Sequence, residues 1–204
     1  MENEQKRYAT FSNASYSLFN PLKSKFDNQQ NSLKILKDAG INGYEIHPSS
    51  NHQRGVYINN NTKDIVIAHR GTNTSSRSNL ISDVAIGFGT QGSTERFNRA
   101  VRKDAKIKKA FPDHTIQLTG HSLGGTIGSQ SSRENKIKGI FYNIGSGVPT
   151  LSSILSQRQK KDNNITHYST NFDPISIQSK KFNINQVRVK TKKGNNPHAL
   201  QNFV

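Results

Sequence analysis

The chain has 204 residues, with 29 Lys and Arg against 13 Asp and Glu for a formal net charge of +16, and neither cysteine nor tryptophan. That length holds one domain, or one and a small appendage, and 31% hydrophobic residues make its core a modest one. The missing cysteine excludes a disulfide framework, a cysteine nucleophile and thiolate metal sites, leaving Ser, Thr, Lys or a carboxylate for nucleophilic chemistry. No run approaches the roughly 20 apolar residues of a membrane span, and the polar start, Met1 to Asn20, lacks the apolar core of a signal peptide. The expected setting is therefore the cytoplasm, with the sequons at Asn13, Asn60, Asn73 and Asn164 idle.

Apolar spacing predicts helices over Tyr8–Leu18 and Ser32–Ala39, the second ended by Gly40. Tyr44–His47 and Val56–Ile58 alternate and are flanked by turn residues, which predicts antiparallel strands. The run Asp64–His69 is apolar and mostly β-branched through its middle, as suits a strand buried on both faces, and Gly71 ends it. A helix is predicted over Ser93–Ala110, with Phe97, Ala100, Val101, Ala105 and Ile107 on one side and a basic opposite face, before Pro112 stops it. Strands follow at His114–Thr119, Ile137–Ile144, Ile165–Ser169 and Phe182–Lys190, with a helix over Leu123–Ser132. Strands alternating with helices predict an α/β fold with a largely parallel sheet.

Between the strand ending at Thr119 and the following helix lies Gly120-His121-Ser122-Leu123-Gly124, a G-x-S-x-G turn. Such a turn holds its serine in a strained backbone conformation at the carboxyl end of the sheet. The two glycines remove side chains that would collide there. The Leu123 N–H then lies at a helix N-terminus, where unpaired donors and the helix dipole stabilise an oxyanion.

Ile116 to Gly125, with the Ser122 elbow at its centre, resembles the nucleophile elbow of the class 3 lipases, members of the α/β-hydrolase family. Ile65 to Thr72 is similar to the strand and turn that carry that family's other oxyanion donor, and Thr72 falls on the donor position. The resemblance implies an α/β-hydrolase fold, a central mostly parallel sheet flanked by helices, over residues 1–204 as a single domain. Ser78 to Asp83 is similar to the family's next stretch, where Asp83 either holds Thr72 in place or caps a helix. Leu80–Phe88 falls where family members carry a lid, with ordinary core packing as the alternative.

In this fold the acid and then the histidine follow the serine. The downstream acids are Glu134, Asp162 and Asp173, and the downstream histidines are His167 and His198. Asp173 follows a predicted strand and sits in Asn171-Phe172-Asp173-Pro174, which resembles the family's acid motif; Glu134 comes too soon after the elbow helix, and Asp162 lies in a charged loop. His167 falls within a strand ahead of the acid, whereas His198, in His198-Ala199-Leu200, resembles the terminal histidine motif. His121 matches the family elbow, where it has a packing role. The triad so assigned is Ser122, Asp173 and His198, with Thr72 and Leu123 as the oxyanion hole, and it needs no metal or cofactor.

Two features depart from the family pattern. Thr126 to Ser132 is far more polar than the alanine-rich helix usual after the elbow, which weakens packing under Ser122, and His69 replaces the customary aromatic residue. Lys180, Lys181, Arg188, Lys190, Lys192 and Lys193 surround the strand leading to His198, so a positive rim at the site is expected, suited to an anionic membrane surface unless it is simply a solvated face. Small size and Asn and Lys bias resemble compact members encoded by large DNA viruses, which would place the protein in host cytoplasm or a virion. The function expected is cleavage of acylglycerol or phospholipid esters, with a catalytically silent, membrane-binding relative as the alternative. No specific nucleic acid is expected as partner, since no reading motif accompanies the charge. Thioesterase and acyltransferase chemistry would use the same triad, and the oligomeric state is open.

Overall fold

The computed structural model describes residues 2–71, 91–144, 164–171, 173 and 185–204. Helix α1 spans Glu2–Ser17 and α2 spans Lys25–Asp38. Both start earlier than apolar spacing suggests. In α2 the reason is a cap: the Ser24 hydroxyl accepts the Asp27 N–H at 3.0 Å and donates to the Asp27 carboxylate at 2.7 Å, so helix forms a full turn and more before the first buried leucine. Gly40, at φ +76°, ends it as expected, and the Ile41 N–H closes back on the Leu36 carbonyl.

Strands β1 (Glu45–Ile46), β2 (Arg54–Asn59) and β3 (Asp64–His69) pair antiparallel. Helix α3 (Gln91–Ala110) leads to β4 (Thr115–His121), α4 (Leu123–Asn135) to β5 (Lys138–Tyr142), and β6 (Ile165–Thr170) and β7 (Asn185–Val189) follow. The seven lie side by side in chain order, and every pairing from β3 to β7 is parallel. The expected mostly parallel sheet flanked by helices is present.

Alternation along β3 divides the core. Val66 and Ala68 face α1 and α2 among Phe11, Leu36, Tyr57 and Tyr142, while Ile65 and Ile67 face the other layer with Leu118, Phe141 and Ile107. Helix α1 runs along one face toward the carboxyl ends of the strands: Glu4 accepts from Lys138 at the start of β5, and twelve residues later the Tyr16 hydroxyl accepts the N–H of Gly71, just past β3. Helices α3 and α4 cover the opposite face. No helix among the described residues is long and apolar enough to cross a membrane.

Candidate active site

Three chain segments converge at the carboxyl end of the sheet, each arriving from a strand: Ser122 after β4, Asp173 after β6, and His198 after β7 and a turn. Ser122 has φ 56° and ψ −129°, a conformation costly for a residue with a Cβ, and it is fixed by the Ser122 N–H bond to the Tyr142 carbonyl. The elbow closes because of its glycines. A Cβ on Gly120 would meet the Gly124 carbonyl oxygen at 2.6 Å, and one on Gly124 would run into the backbone at the end of β3, reaching the Arg70 carbonyl carbon at 2.6 Å. The strand that leads to Thr72 is thus pressed directly against the turn that carries Ser122. Thr72 itself, Asp83 and the segment 80–88 lie outside the described residues.

His198 donates from Nδ1 to the Asp173 carboxylate, at 3.0 and 3.1 Å to its two oxygens. Asp173 is fully buried and His198 nearly so, while His198 Nε2 is buried with no partner among the described residues. That bond holds the imidazole with a proton on Nδ1 and turns Nε2 away from the carboxylate. The loop is pinned from several directions: His198 N–H bonds Asn196 Oδ1, Asn202 Nδ2 donates to the Asn196 and Ala199 carbonyls, and Asn143 donates to the Pro197 carbonyl. Asn143 also accepts the Thr170 N–H and so ties β5, β6 and this loop together.

His121 is more than packing. Its ring lies against that of His198, with centroids 4.8 Å apart, and its Nε2–H donates to the His198 carbonyl at 2.7 Å. Nδ1 must then accept, and it faces the Tyr16 hydroxyl at 3.3 Å. Burial is the largest influence on each group: it pushes Tyr16 up to about 12 and, with the neighbouring His198 next, His121 down to about 3. A neutral chain therefore runs from the Gly71 N–H through Tyr16 and His121 to the backbone of His198, linking the end of β3 to the histidine loop. Its members lie too far apart in sequence for any local pattern to reveal it.

The polar helix α4 is fully partnered. Ser129 meets His167 at 2.9 Å, Ser131 donates to Asp104 at 2.6 Å, Ser132 bonds the Ile137 carbonyl and Thr126 the Ser122 carbonyl. The expected weakening under Ser122 is answered by these bonds. Asp104 is the acid that sequence reading missed: buried on α3, it pairs with Arg54 of β2 and with His69 Nε2 at 2.7 Å. Burial works to raise its carboxyl, but His69, Arg54 and Ser131 together hold it below the usual range. A signal existed, because Phe97, Ala100, Asp104 and Ile107 follow helical spacing along one apolar stripe. His69 thus replaces an aromatic residue with a member of an ion-pair network, and its carbonyl backs Gly124.

His167, like His121, is buried and pushed down to about 3, by burial first and then Arg133. In the unfolded chain both imidazoles titrate near 6.5. Between about pH 3 and 6.5 the unfolded state therefore binds more protons, so stability rises with pH through that window. Urea titrations are expected to give a plateau near pH 7 to 8 and a fall of about 3 kcal/mol per pH unit from the two histidines on acidification below about pH 6. An unfolding free energy unchanged between pH 7 and 4.5 would contradict this.

Residues 8–202 match the sequence profile of the Tle-like phospholipase domain, described as phospholipase-like. The chain belongs to this family. The Tle-like domain has lipase structures as its neighbours. The lipase of Rhizopus microsporus var. chinensis superposes with TM-score 0.61 at 17% identity, covering 96% of this chain and 76% of that one. Lip2 lipase of Yarrowia lipolytica gives 0.56 at 16% identity over 98% and 82%, and the mono- and diacylglycerol lipase of Aspergillus oryzae gives 0.54 at 18% over 96% and 82%. At these identities the likeness concerns the fold, and it is the lipase α/β-hydrolase fold that the elbow implies. No curated protein matches the chain.

Proposed function

We propose that this Tle-like domain is a serine carboxylic-ester hydrolase acting on lipid esters through Ser122, Asp173 and His198. The observation that carries the reading is the buried Asp173–His198 pair, with Nε2 of the imidazole lacking a hydrogen-bond partner among the described residues and the His198 carbonyl bonded to His121, the neighbour in sequence of the strained elbow serine. In the proposed mechanism Nε2 takes the Ser122 proton as Oγ attacks the ester carbonyl, and Asp173 stabilises the imidazolium that forms. The imidazolium returns that proton to the departing alcohol, and water activated by the same Nε2 releases the fatty acid. The Leu123 N–H, at the start of α4, and Thr72 bind the oxyanion, with Asp83 supporting Thr72 and the segment 80–88 acting as lid. Every group is supplied by the protein, and no cofactor takes part.

The family favours phospholipid over triacylglycerol as substrate. Arg188, Lys190, Lys192 and Lys193 are exposed on the strand and turn that lead to His198, which supports the expected positive rim. The partnered side chains of α4 remove the packing argument for a silent relative.

The test is a panel of soluble short-chain esters, tributyrin, and phosphatidylcholine and phosphatidylglycerol vesicles, with wild type beside His198→Ala. Fatty acid release from phospholipid is expected, falling about 10³-fold or more in the variant. A folded wild type that cleaves none of these esters, or a His198→Ala variant as active as wild type, contradicts the reading.

A further inference from the structure

Among the described residues, two large apolar side chains stand far out in solvent, and they lie in one corner of the chain. Leu22 is 92% exposed and Phe26 67%, whereas Val187, next in rank, is 39% exposed. Both belong to Pro21-Leu22-Lys23-Ser24-Lys25-Phe26, the connection from α1 to α2, where every residue is exposed. Isolated surface leucines are ordinary; two such side chains alternating with two lysines in six residues are not.

The corner is built to hold them out. Asn28, 5% exposed, accepts the Asn20 N–H at 3.2 Å and donates to the Asn20 carbonyl at 2.9 Å, which clamps the two ends of the turn together. Asn20 Oδ1 accepts the Leu22 N–H, and the Ser24 cap starts α2 so that Phe26 falls in its first turn. With these backbone groups bonded inside the turn, Leu22 and Phe26 are left exposed at its surface.

Position gives the corner its meaning. The Phe19 carbonyl accepts from Arg70 Nη1 at 3.4 Å and Tyr16 bonds Gly71 and His121, so this connection lies at the carboxyl end of the sheet, the end where Ser122 and His198 stand. We infer that Pro21–Phe26 is an interfacial anchor for an anionic phospholipid bilayer. Leu22 and Phe26 enter the acyl boundary while Lys23 and Lys25, whose stems are long enough to keep their ammonium groups among lipid phosphates, hold the headgroup layer. Charge complementarity with a chain of net charge +16 selects the anionic surface. Docked this way, the carboxyl end of the sheet faces the lipid. This role rests on the proposed lipid-ester activity for its purpose, though the binding itself does not require catalysis.

The experiment measures vesicle partitioning in the Ser122→Ala background, which keeps the lipid intact, and ester turnover with Ser122 present. Vesicles are phosphatidylcholine with and without phosphatidylglycerol, and the variants are Leu22→Ser with Phe26→Ser, and Lys23→Ala with Lys25→Ala. The double serine variant is expected to bind mixed vesicles about 30-fold or more weakly, and the double alanine variant about tenfold more weakly with most of its preference for phosphatidylglycerol gone. Hydrolysis of a soluble short-chain ester is expected to be unchanged in both, since all four side chains point to solvent. Partitioning of the serine variant equal to its parent, or no partitioning of the parent, overturns the anchor. So does loss of self-association in that variant with vesicle binding intact, which would make the corner a protein interface. Absent hydrolysis of every ester, together with vesicle binding that depends on Leu22 and Phe26, would sink the hydrolase reading and leave the anchor standing.

Discussion

Ser122→Ala is expected to lower kcat for ester hydrolysis by about 10⁴ to 10⁶ while leaving the fold and KM nearly unchanged. The alanine removes only Oγ, and Ser122 makes no side-chain capping bond to α4 that would be lost. The strained φ of 56° is equally costly for alanine, so stability measured by thermal melting should move little. Substituting the serine leaves the Asp173–His198 pair and the helix N-terminus in place, which accounts for some residual rate. Initial-rate kinetics on a soluble ester provide the check, and a variant retaining a tenth of wild-type kcat would contradict the role given to Ser122.

Gly124→Ala is expected to be the most damaging small change in the chain. The added methyl would collide with backbone on β3 rather than with a side chain: the His69 carbonyl oxygen, the Arg70 carbonyl carbon at 2.6 Å and the Gly71 nitrogen at 2.7 Å. None of these can rotate away. Either α4 tilts or the end of β3 retreats, and both movements separate Ser122 from the segment that begins at Thr72. A destabilisation of about 3 kcal/mol or more is expected, with a loss of about 10²-fold or more in kcat/KM from the molecules that remain folded. Gly125→Ala, whose methyl first meets the Ile144 side chain at 2.8 Å rather than backbone, should cost less. Equal stability of Gly124→Ala and wild type in urea would mean that the elbow is not the close-packed turn described.

What was legible in the sequence was what is local. The elbow could be read because strand, turn and helix start occupy consecutive residues, and Asp173 and His198 are assigned through the resemblance of their short local motifs to those of the family. The parallel sheet showed in its alternating elements, and the antiparallel β2 in its short alternating segment between turn residues. What escaped notice depends on contacts between distant segments. Asp104 looks like one more polar residue on a basic helix until Arg54, fifty residues earlier, and His69 are found around it. The serines of α4 read as poor packing because their partners, His167, Asp104 and the Ile137 carbonyl, lie on other elements. Tyr16 and His121 are 105 residues apart, and only the fold puts them in one hydrogen-bonded chain. The α2 start was missed for a different reason: its Ser24 and Asp27 cap is local, but the residues after it are polar, and apolar spacing alone passes over them.

The most direct measurement is covalent labelling by a fluorophosphonate, with the modified peptide identified by mass spectrometry. A phosphonylated serine forms only where an oxyanion site and an activating base surround a nucleophile, so the label reads the whole constellation at once. Wild type is expected to carry one adduct, on Ser122, with none in Ser122→Ala and labelling slowed about 10³-fold or more in His198→Ala. A folded wild type that stays unlabelled even with phospholipid micelles present, or an adduct on another serine, would contradict the assignment of Ser122, Asp173 and His198 as an acyl-transfer triad.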